Sequence, residues 1–385
     1  MNIAIDALLV SGAFSGVQQT ILAQTRALLE LDSAHQFTVV ALQDVPIEEH
    51  IGVTRNSCAV IRAPLCSGKR LQRLCWEQFS MPRVLEEHGI DLLYSPGYLT
   101  SLRWARPSVV FMHDTIALSH PHLCTMSNAL NYRLLLPASA RHATLVVTPS
   151  TVSAEDTTRF CHVAPERIRI VTSGVQTPAM PTAAEITQLR QKLGIAAPFL
   201  LAVSTIEPKK NFASLIRWFS AWKASGIPHH LVIAGKWGWG CGEVRRALAR
   251  SRDHAQIHLT GYLDREELVT TMAAAELLLM PSLYEGFGLP VLEAMAVGTP
   301  VVVSDRGALP ETVGNAGLVI PLEDALWQAE IPTLLRYPAR LATMRVAGHA
   351  HAAAHSWRRS AEHLLTVFEE AAGAISPSSP NLSPR

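Results

Sequence analysis

The sequence predicts an α/β fold of two Rossmann-like, doubly wound domains facing a cleft. Three observations predict it. A chain of 385 residues exceeds what one hydrophobic core usually organises, and an apolar content of 48% is enough for two. Short apolar runs alternate with helical patterns, as in a mostly parallel sheet. The alternation breaks at Thr172–Glu185, where Gly174, Pro178 and Pro181 stand among small and polar residues as in an interdomain linker, and then resumes.

In the first half, strands are expected at Ile3–Val10, Phe37–Leu42, Ala59–Arg62, Asp91–Tyr94, Ser108–Met112 and Thr144–Thr148. Helices fit between them at Val17–Leu31, Gly68–His88 with a break at Pro82, Ser127–His142 and Thr151–Phe160. In the second half, strands are expected at Phe199–Ser204, His230–Ala234, Ile257–Thr260, Leu277–Met280, Pro300–Ser304 and Leu318–Ile320. The expected division is 1–174 for the first domain, 175–196 for the linker and 197–354 for the second domain. A C-terminal helix at 355–375 could pack back on the first domain, and 376–385 is a Ser/Pro-rich tail expected to be disordered.

Bulk properties exclude several classes. A net charge of +1 provides no field for nucleic acid. Six cysteines form no C-x-x-C pair and the sixteen histidines no H-E-x-x-H, so no metal site is expected. Scattered thiols and a start without a basic leader segment fit a reducing cytoplasm. No apolar run approaches the roughly 18 residues that span a bilayer, which leaves peripheral contact with the inner membrane open.

The most informative stretch is Glu285-Gly-Phe-Gly-Leu-Pro-Val-Leu-Glu293, where two glutamates bracket a glycine turn between a buried strand and a helix expected over Leu289–Val297. Pro290 suits the first helical turn, where its missing N–H is not needed. The free N–H groups and the dipole of that turn form an anion site. Glu293 follows about 6 Å further along the axis. Carboxylates on both sides of a phosphate make sense if they grip hydroxyls, of a sugar at Glu285 and of a ribose at Glu293. That describes a nucleotide-sugar.

Other strand ends carry further candidates. Gly12 and Gly16 precede the first helix and could let a ligand approach backbone N–H groups, or form a plain βα turn. His113 and Asp114 follow an apolar strand, where a histidine can place a hydrogen bond or carry a proton. Lys209 and Lys210 sit where a helix begins at Phe212, with Asn211 as the expected N-cap. Cations at a helix N-terminus are unfavourable without an anion, which argues for a phosphate partner. Ala234–Gly240 holds three glycines with Trp237 and Trp239, which could cover a base or sugar or pack between domains. Leu71–Phe79 is amphipathic with basic flanks and could touch anionic lipid, but its shortness and mixed charge favour a core-facing helix.

The run from Pro281 through Glu285, Glu293, Gly298 and Pro300 to Glu311 resembles the signature of the retaining glycosyltransferase family 4, which has the GT-B fold. Thr205-Ile-Glu-Pro-Lys-Lys-Asn211 and Gly261-Tyr-Leu resemble further motifs, as do Ile5-Asp6, Gly16, Trp76-Glu-Gln78, His113-Asp114 and Pro149-Ser150 in the first half. The resemblance covers about Met1 to Glu323 and points to a bacterial polysaccharide mannosyltransferase-like subgroup. It implies metal-independent transfer of a sugar from a nucleotide-sugar, with GDP-mannose the leading donor and UDP-sugars open. It implies as acceptor a glycan or a polyprenyl-linked oligosaccharide, facing the first domain. Carried over by position, Glu285 faces the donor sugar, Glu293 the ribose, and Lys210 the pyrophosphate. Backbone groups of Gly286, Phe287, Gly288 and Leu289 hold sugar hydroxyls and phosphate, and His113 lies near the reacting centre. Ser204-Thr205 replaces a Gly-Arg pair common in the family, and Lys209 stands where arginine is frequent. No separate cofactor is implied. A non-catalytic nucleotide-sugar-binding subunit is the alternative of another class, disfavoured by the intact motif residues. A dinucleotide-dependent oxidoreductase would need G-x-G-x-x-G after the first strand, which Gly12-Ala-Phe-Ser-Gly16 does not supply.

Overall fold

The computed structural model describes residues 1–11, 16–52 and 58–374, the side chains of 127–129 excepted. Gly12 and the tail 376–385 therefore lie outside the described residues. The first sheet holds β1 (Asn2–Asp6), β2 (Gln36–Leu42), β3 (Ala59–Ala63), β4 (Leu92–Ser95), β5 (Ser108–Phe111), β6 (Leu145–Thr148) and β7 (Ile168–Ile170). They run in the order β3-β2-β1-β4-β5-β6-β7, every pair parallel. The second sheet holds β8 (Phe199–Val203), β9 (His230–Ala234), β10 (Ile257–Gly261), β11 (Leu277–Met280), β12 (Val301–Ser304) and β13 (Leu318–Ile320), in the order β10-β9-β8-β11-β12-β13 and again parallel. Helices bury both faces of each sheet, so the strands read as continuous apolar runs. Strand order reverses between β1 and β4 and between β8 and β11. Such switch points open a crevice at the carboxyl ends of the strands.

Several expected boundaries move. The first strand stops at Asp6 rather than Val10, because the Asp6 carboxylate accepts the Leu8 N–H at 3.0 Å and Val10 N–H closes a turn on the Ala7 carbonyl. The helix expected over 68–88 divides at Ser80 into Arg70–Phe79 and Met81–Glu87, with Pro82 in the first turn of the second. Helix Arg70–Phe79 is not simply core-facing, because Leu71 and Phe79 point to solvent. Strand β7 was not expected; three residues at a sheet edge leave little pattern.

The stretch 175–196 contains the helix Ala183–Leu193, opened by a Thr182–Glu185 capping box and closed by Gly194 in the left-handed region. It packs on helix Arg265–Ala274 of the second domain. Helix Pro338–Ala353 packs on helix Leu289–Ala296, also in the second domain. The last helix, Trp357–Gly373, returns to the first domain. Leu364 and Phe368 enter its core, with the Phe368 ring 5.0 Å from that of Tyr94. The two crossings between domains lie side by side: Val175 N–H donates to the His355 carbonyl at 2.8 Å. A Cβ on Gly174 would stand 2.2 Å from the Trp357 nitrogen, so only glycine permits this approach. Among the described residues, no helix is long and apolar enough to cross a membrane.

Candidate active site

A cavity of about 780 Å³ lies between the two sheets. Its second-domain wall is built from the segments after β8, β9, β10 and β11. The β8 loop turns through a 3-10 helix, Pro208–Lys210, and buries Lys210. Lys210 Nζ donates to Glu285 Oε1 at 2.5 Å, and Lys209 Nζ lies 3.6 Å from Glu207 Oε1. Burial pushes the Glu285 carboxyl up, but Lys210 and Lys209 outweigh it and hold the group below the usual carboxylate range. Burial raises Glu207, against the pull of the same lysines. Burial would lower Lys209, yet Glu285, Asp114 and Glu207 hold it above the usual lysine range. Two cations and two anions are thus interleaved. The expected mismatch between lysines and a helix N-terminus is already compensated by the chain's own carboxylates. Asn211 is at the N-cap of Phe212–Ala224 but adopts a left-handed conformation (φ 57°), and its side chain does not cap the helix.

The β11 loop is held by close backbone contacts. Ala308 N–H donates to the Glu285 carbonyl at 2.9 Å, and a Cβ on Gly307 would stand 2.4 Å from that oxygen. The hydroxyls of Ser150 and Ser153, from the first domain, donate to the Gly286 carbonyl at 2.8 and 3.0 Å. A Cβ on Gly286 would meet the His113 carbonyl at 2.1 Å, so only glycine lets the two domains approach this closely here. Gly288 (φ 108°) opens helix Leu289–Ala296 with no side-chain cap, and Phe287, Gly288 and Leu289 line the cavity. Pro290 has no N–H and the Val291 N–H donates to the Gly288 carbonyl at 2.9 Å, so the positive end of the helix dipole is presented to the cavity mainly by the backbone up to Leu289.

Glu293 also lines the cavity and accepts a hydrogen bond from Arg265. Arg265 was missed by the sequence reading. It lies 28 residues from Glu293, and only the adjacent Gly261-Tyr-Leu motif marked its neighbourhood. Gly16 lines the opposite wall at the start of helix Gly16–Glu30, and among the described residues nothing beyond its chain neighbours and its own helix backbone lies within 4 Å of where its Cβ would be.

His113 follows β5. Its Nε2–H donates to the Pro96 carbonyl at 2.7 Å, leaving Nδ1 as the acceptor. The ring packs against Phe111 and the edge of Tyr98, with centroids 4.6 and 5.0 Å away. Burial lowers its pKa to about 4, against the Pro96 bond and the Asp114 charge. Of the two roles expected for it, placing a hydrogen bond fits a ring that is neutral at physiological pH.

Of the two loop tryptophans, Trp239 lines the cavity, whereas Trp237 stacks on Arg245 at 4.1 Å. Helix Arg70–Phe79 contributes none of the lining residues. Instead Glu77 is buried with Asp6 beneath the first domain's strand ends and accepts from Arg73 at 2.6 Å. Burial pushes Asp6 to about 6. Burial, then the Asp6 charge, push Glu77 to about 8. Among the described residues, no group of three or more His, Cys, Asp or Glu side chains is arranged to hold a metal ion.

Two parallel-sheet domains closing on such a cleft define a GT-B glycosyltransferase. Models of two family domains match the chain: Glycosyltransferase Family 4 over residues 14–178 and Glycosyl transferases group 1 over residues 185–344. The chain belongs to glycosyltransferase family 4 and is mannosyltransferase-like within it. It is 29% identical over 294 residues to O-antigen chain mannosyltransferase B of Escherichia coli, covering 74% of this chain and 76% of that one. It is 31% identical over 243 residues to the MMP alpha-(1->4)-mannosyltransferase of Mycolicibacterium hassiacum, covering 61% of this chain and 56% of that one. The fold is shared with Anabaena HepE, solved with UDP and glucose, at a TM-score of 0.75, 21% identity and coverage of 96% and 100%. It is also shared with the sucrose-phosphate synthase of Thermosynechococcus elongatus at a TM-score of 0.76, 19% identity and coverage of 97% and 99%.

Proposed function

We propose that this glycosyltransferase moves mannose from GDP-mannose, with retention of anomeric configuration and without a metal ion, to a glycan or polyprenyl-linked oligosaccharide in cell-surface polysaccharide synthesis. The observation that carries the proposal is Lys210 beside Glu285 at the uncapped start of helix Leu289–Ala296. The diphosphate lies against that helix start and the two lysines. The sugar reaches Glu285 and His113, and the ribose reaches Glu293. As the bond from sugar C1 to the phosphate oxygen breaks, negative charge builds on the departing diphosphate. Lys209, Lys210 and the N–H groups of Phe287, Gly288 and Leu289 stabilise it in this reading, which is supported by their shared place on the cavity wall. The acceptor hydroxyl forms its bond to C1 on the face the diphosphate leaves, and its proton passes to a phosphate oxygen of the donor. Glu285 stays ionised and takes no proton. The choice of mannose is supported by relatives named as mannosyltransferases.

The test is release of nucleoside diphosphate from GDP-mannose, UDP-glucose and dTDP-sugars, with EDTA present. Turnover of GDP-mannose above the others is expected. Preference for a UDP-sugar reassigns the donor, recovery only on adding Mg²⁺ or Mn²⁺ removes metal independence, and no turnover of any donor rejects the reading.

A further inference from the structure

The first-domain wall of the cavity has a chemistry that the donor does not explain. Among the described residues, the first domain lines the cavity with no Lys or Arg, and its charged group there is Asp114, since burial keeps His113 neutral. The lysines and Arg265 stand on the second domain's wall. Arg70 lies over the Tyr132 ring at 5.4 Å and does not line the cavity.

Neighbouring strand ends assemble this wall. Tyr98 stands on the loop after β4 and Asp114 on the loop after β5, and the two strands pair in parallel up to Ser95 and Val110. Tyr98 has a left-handed backbone, φ 73°, which is rare for a bulky residue and persists only where its surroundings fix it. Its N–H donates to the Phe111 carbonyl at 3.2 Å. The Tyr98 ring meets His113 edge-on with centroids 5.0 Å apart, and lies 5.8 Å from the ring of Tyr132 on helix Met126–His142. Its phenol faces the Asp114 carboxylate. Burial first, then the Asp114 charge, hold that phenol well above the usual tyrosine range, so it remains a hydrogen-bond donor.

Asp114 is also set against the donor loop. Its Oδ1 accepts the Ile116 N–H at 3.2 Å, and its Cβ would stand 2.8 Å from a Cβ on Gly286, the residue after Glu285. A carboxylate at this point repels a diphosphate and accepts hydrogen bonds from hydroxyls. Tyrosine rings beside it offer an apolar face with a polar edge, which matches the C–H face and hydroxyl rim of a pyranose.

We propose that Asp114, with Tyr98 and Tyr132, binds the terminal sugar of the acceptor and selects an uncharged pyranose over a phosphorylated one. The inference rests on the donor reading above, which sets the sugar end of the cleft at Glu285. The transfer is unchanged: the acceptor oxygen bonds to C1, the bond from C1 to the phosphate oxygen breaks, and the proton goes to the donor phosphate. Asp114 accepts hydrogen bonds and takes no proton. It excludes a phosphorylated acceptor by like-charge repulsion on a wall without a compensating Lys or Arg.

The test is saturation-transfer NMR on the full chain with GDP bound, so that the lysine site is filled and no turnover is needed. Methyl glycosides of mannose, glucose, galactose, rhamnose and N-acetylglucosamine are compared with mannose 6-phosphate and glucose 6-phosphate. At least one neutral glycoside binds and the phosphates do not. Asp114→Asn keeps the melting temperature, weakens that glycoside by about tenfold or more, the scale of a hydrogen bond to a charged group, and does not weaken free GDP in calorimetry. Tyr98→Phe, which keeps the ring, weakens the glycoside by a smaller factor. Phosphates bound as tightly as neutral sugars, no neutral glycoside bound, or normal glycoside binding in Asp114→Asn overturns the proposal. Equal weakening of GDP and glycoside also overturns it, because it assigns Asp114 a structural role. Failure of the donor reading is distinct: no donor turns over, while glycoside binding and its loss in Asp114→Asn persist.

Discussion

Lys210 Nζ and Glu285 Oε1 meet at 2.5 Å, although 75 residues separate them, and both side chains are about nine-tenths buried. The pair joins the loop after β8 to the loop after β11 across the switch point of the second sheet. It settles how two adjacent lysines can stand near helix starts without destabilising them. Desolvation of each charge is offset by its partner, and Lys209 with Glu207 repeats the arrangement one step away.

This relationship gives Lys210 a structural role beside the one proposed for it. Lys210→Met leaves Glu285 buried without its partner and is expected to lower stability by roughly 3 kcal/mol, at the lower end for a broken buried pair because Lys209 remains close. Adding Glu285→Gln removes the stranded charge and restores most of that stability. Both variants lose turnover by about 100-fold or more, the scale of one transition-state charge stabiliser. Urea unfolding of the two single variants and the double variant measures the coupling. Additive losses would show that the two groups do not interact.

Much of the fold was legible because buried parallel strands are continuous apolar runs. His230–Ala234, Leu277–Met280 and Leu318–Ile320 coincide with the expected strands. Where an apolar run continued past its strand, as at Ala7–Val10, local backbone hydrogen bonds decided the end and composition did not reveal them. The glycine turn and helix start at 285–293 were legible because their chemistry is local. The partners of the charged residues were not. Lys210 with Glu285, Arg265 with Glu293 and Asp6 near Glu77 are each brought together by strand order, which no local pattern encodes.

The Asp6–Glu77–Arg73 cluster predicts a pH dependence of stability. Both carboxyls titrate higher when folded than the usual carboxylate range, Asp6 at about 6 and Glu77 at about 8. The folded state therefore binds more protons than the unfolded state above the ordinary carboxylate pKa. Their contribution is fully present below that value and is lost as pH rises through 6 and then 8, by up to about 1.4 kcal/mol per pH unit for each proton. Melting temperatures should fall between pH 5 and pH 9 by more in the wild type than in Glu77→Gln, which keeps an acceptor for Arg73 without titrating. Equal slopes would show that proton uptake at Glu77 does not contribute.

Two glycines of the cavity should respond differently to the same substitution. A methyl group at Gly286 collides with the His113 carbonyl and must force the domains apart. Gly286→Ala is expected to lower turnover by about 100-fold, the scale of a roughly 1 Å misplacement of reacting groups. Gly16→Ala meets, among the described residues, nothing within 4 Å beyond its chain neighbours and its own helix backbone, so its stability should be unchanged. Any loss of donor affinity there then measures the approach of the donor itself. Thermal melting and steady-state kinetics on both variants separate these effects, and normal turnover in Gly286→Ala would show that the domains do not need this contact.

The central claim is that one nucleotide-sugar lies along helix Leu289–Ala296, with its sugar at Glu285 and its ribose at Glu293. Calorimetry with free GDP and with intact GDP-mannose on Glu285→Gln and Glu293→Gln tests it most directly. Free GDP keeps its ribose and lacks the sugar. Glu293→Gln should therefore weaken free GDP by about 10- to 150-fold, the range for a hydrogen bond to a charged group. Glu285→Gln should leave free GDP nearly unchanged and impair only the intact donor and its transfer. Equal weakening of free GDP by both substitutions would contradict the assignment.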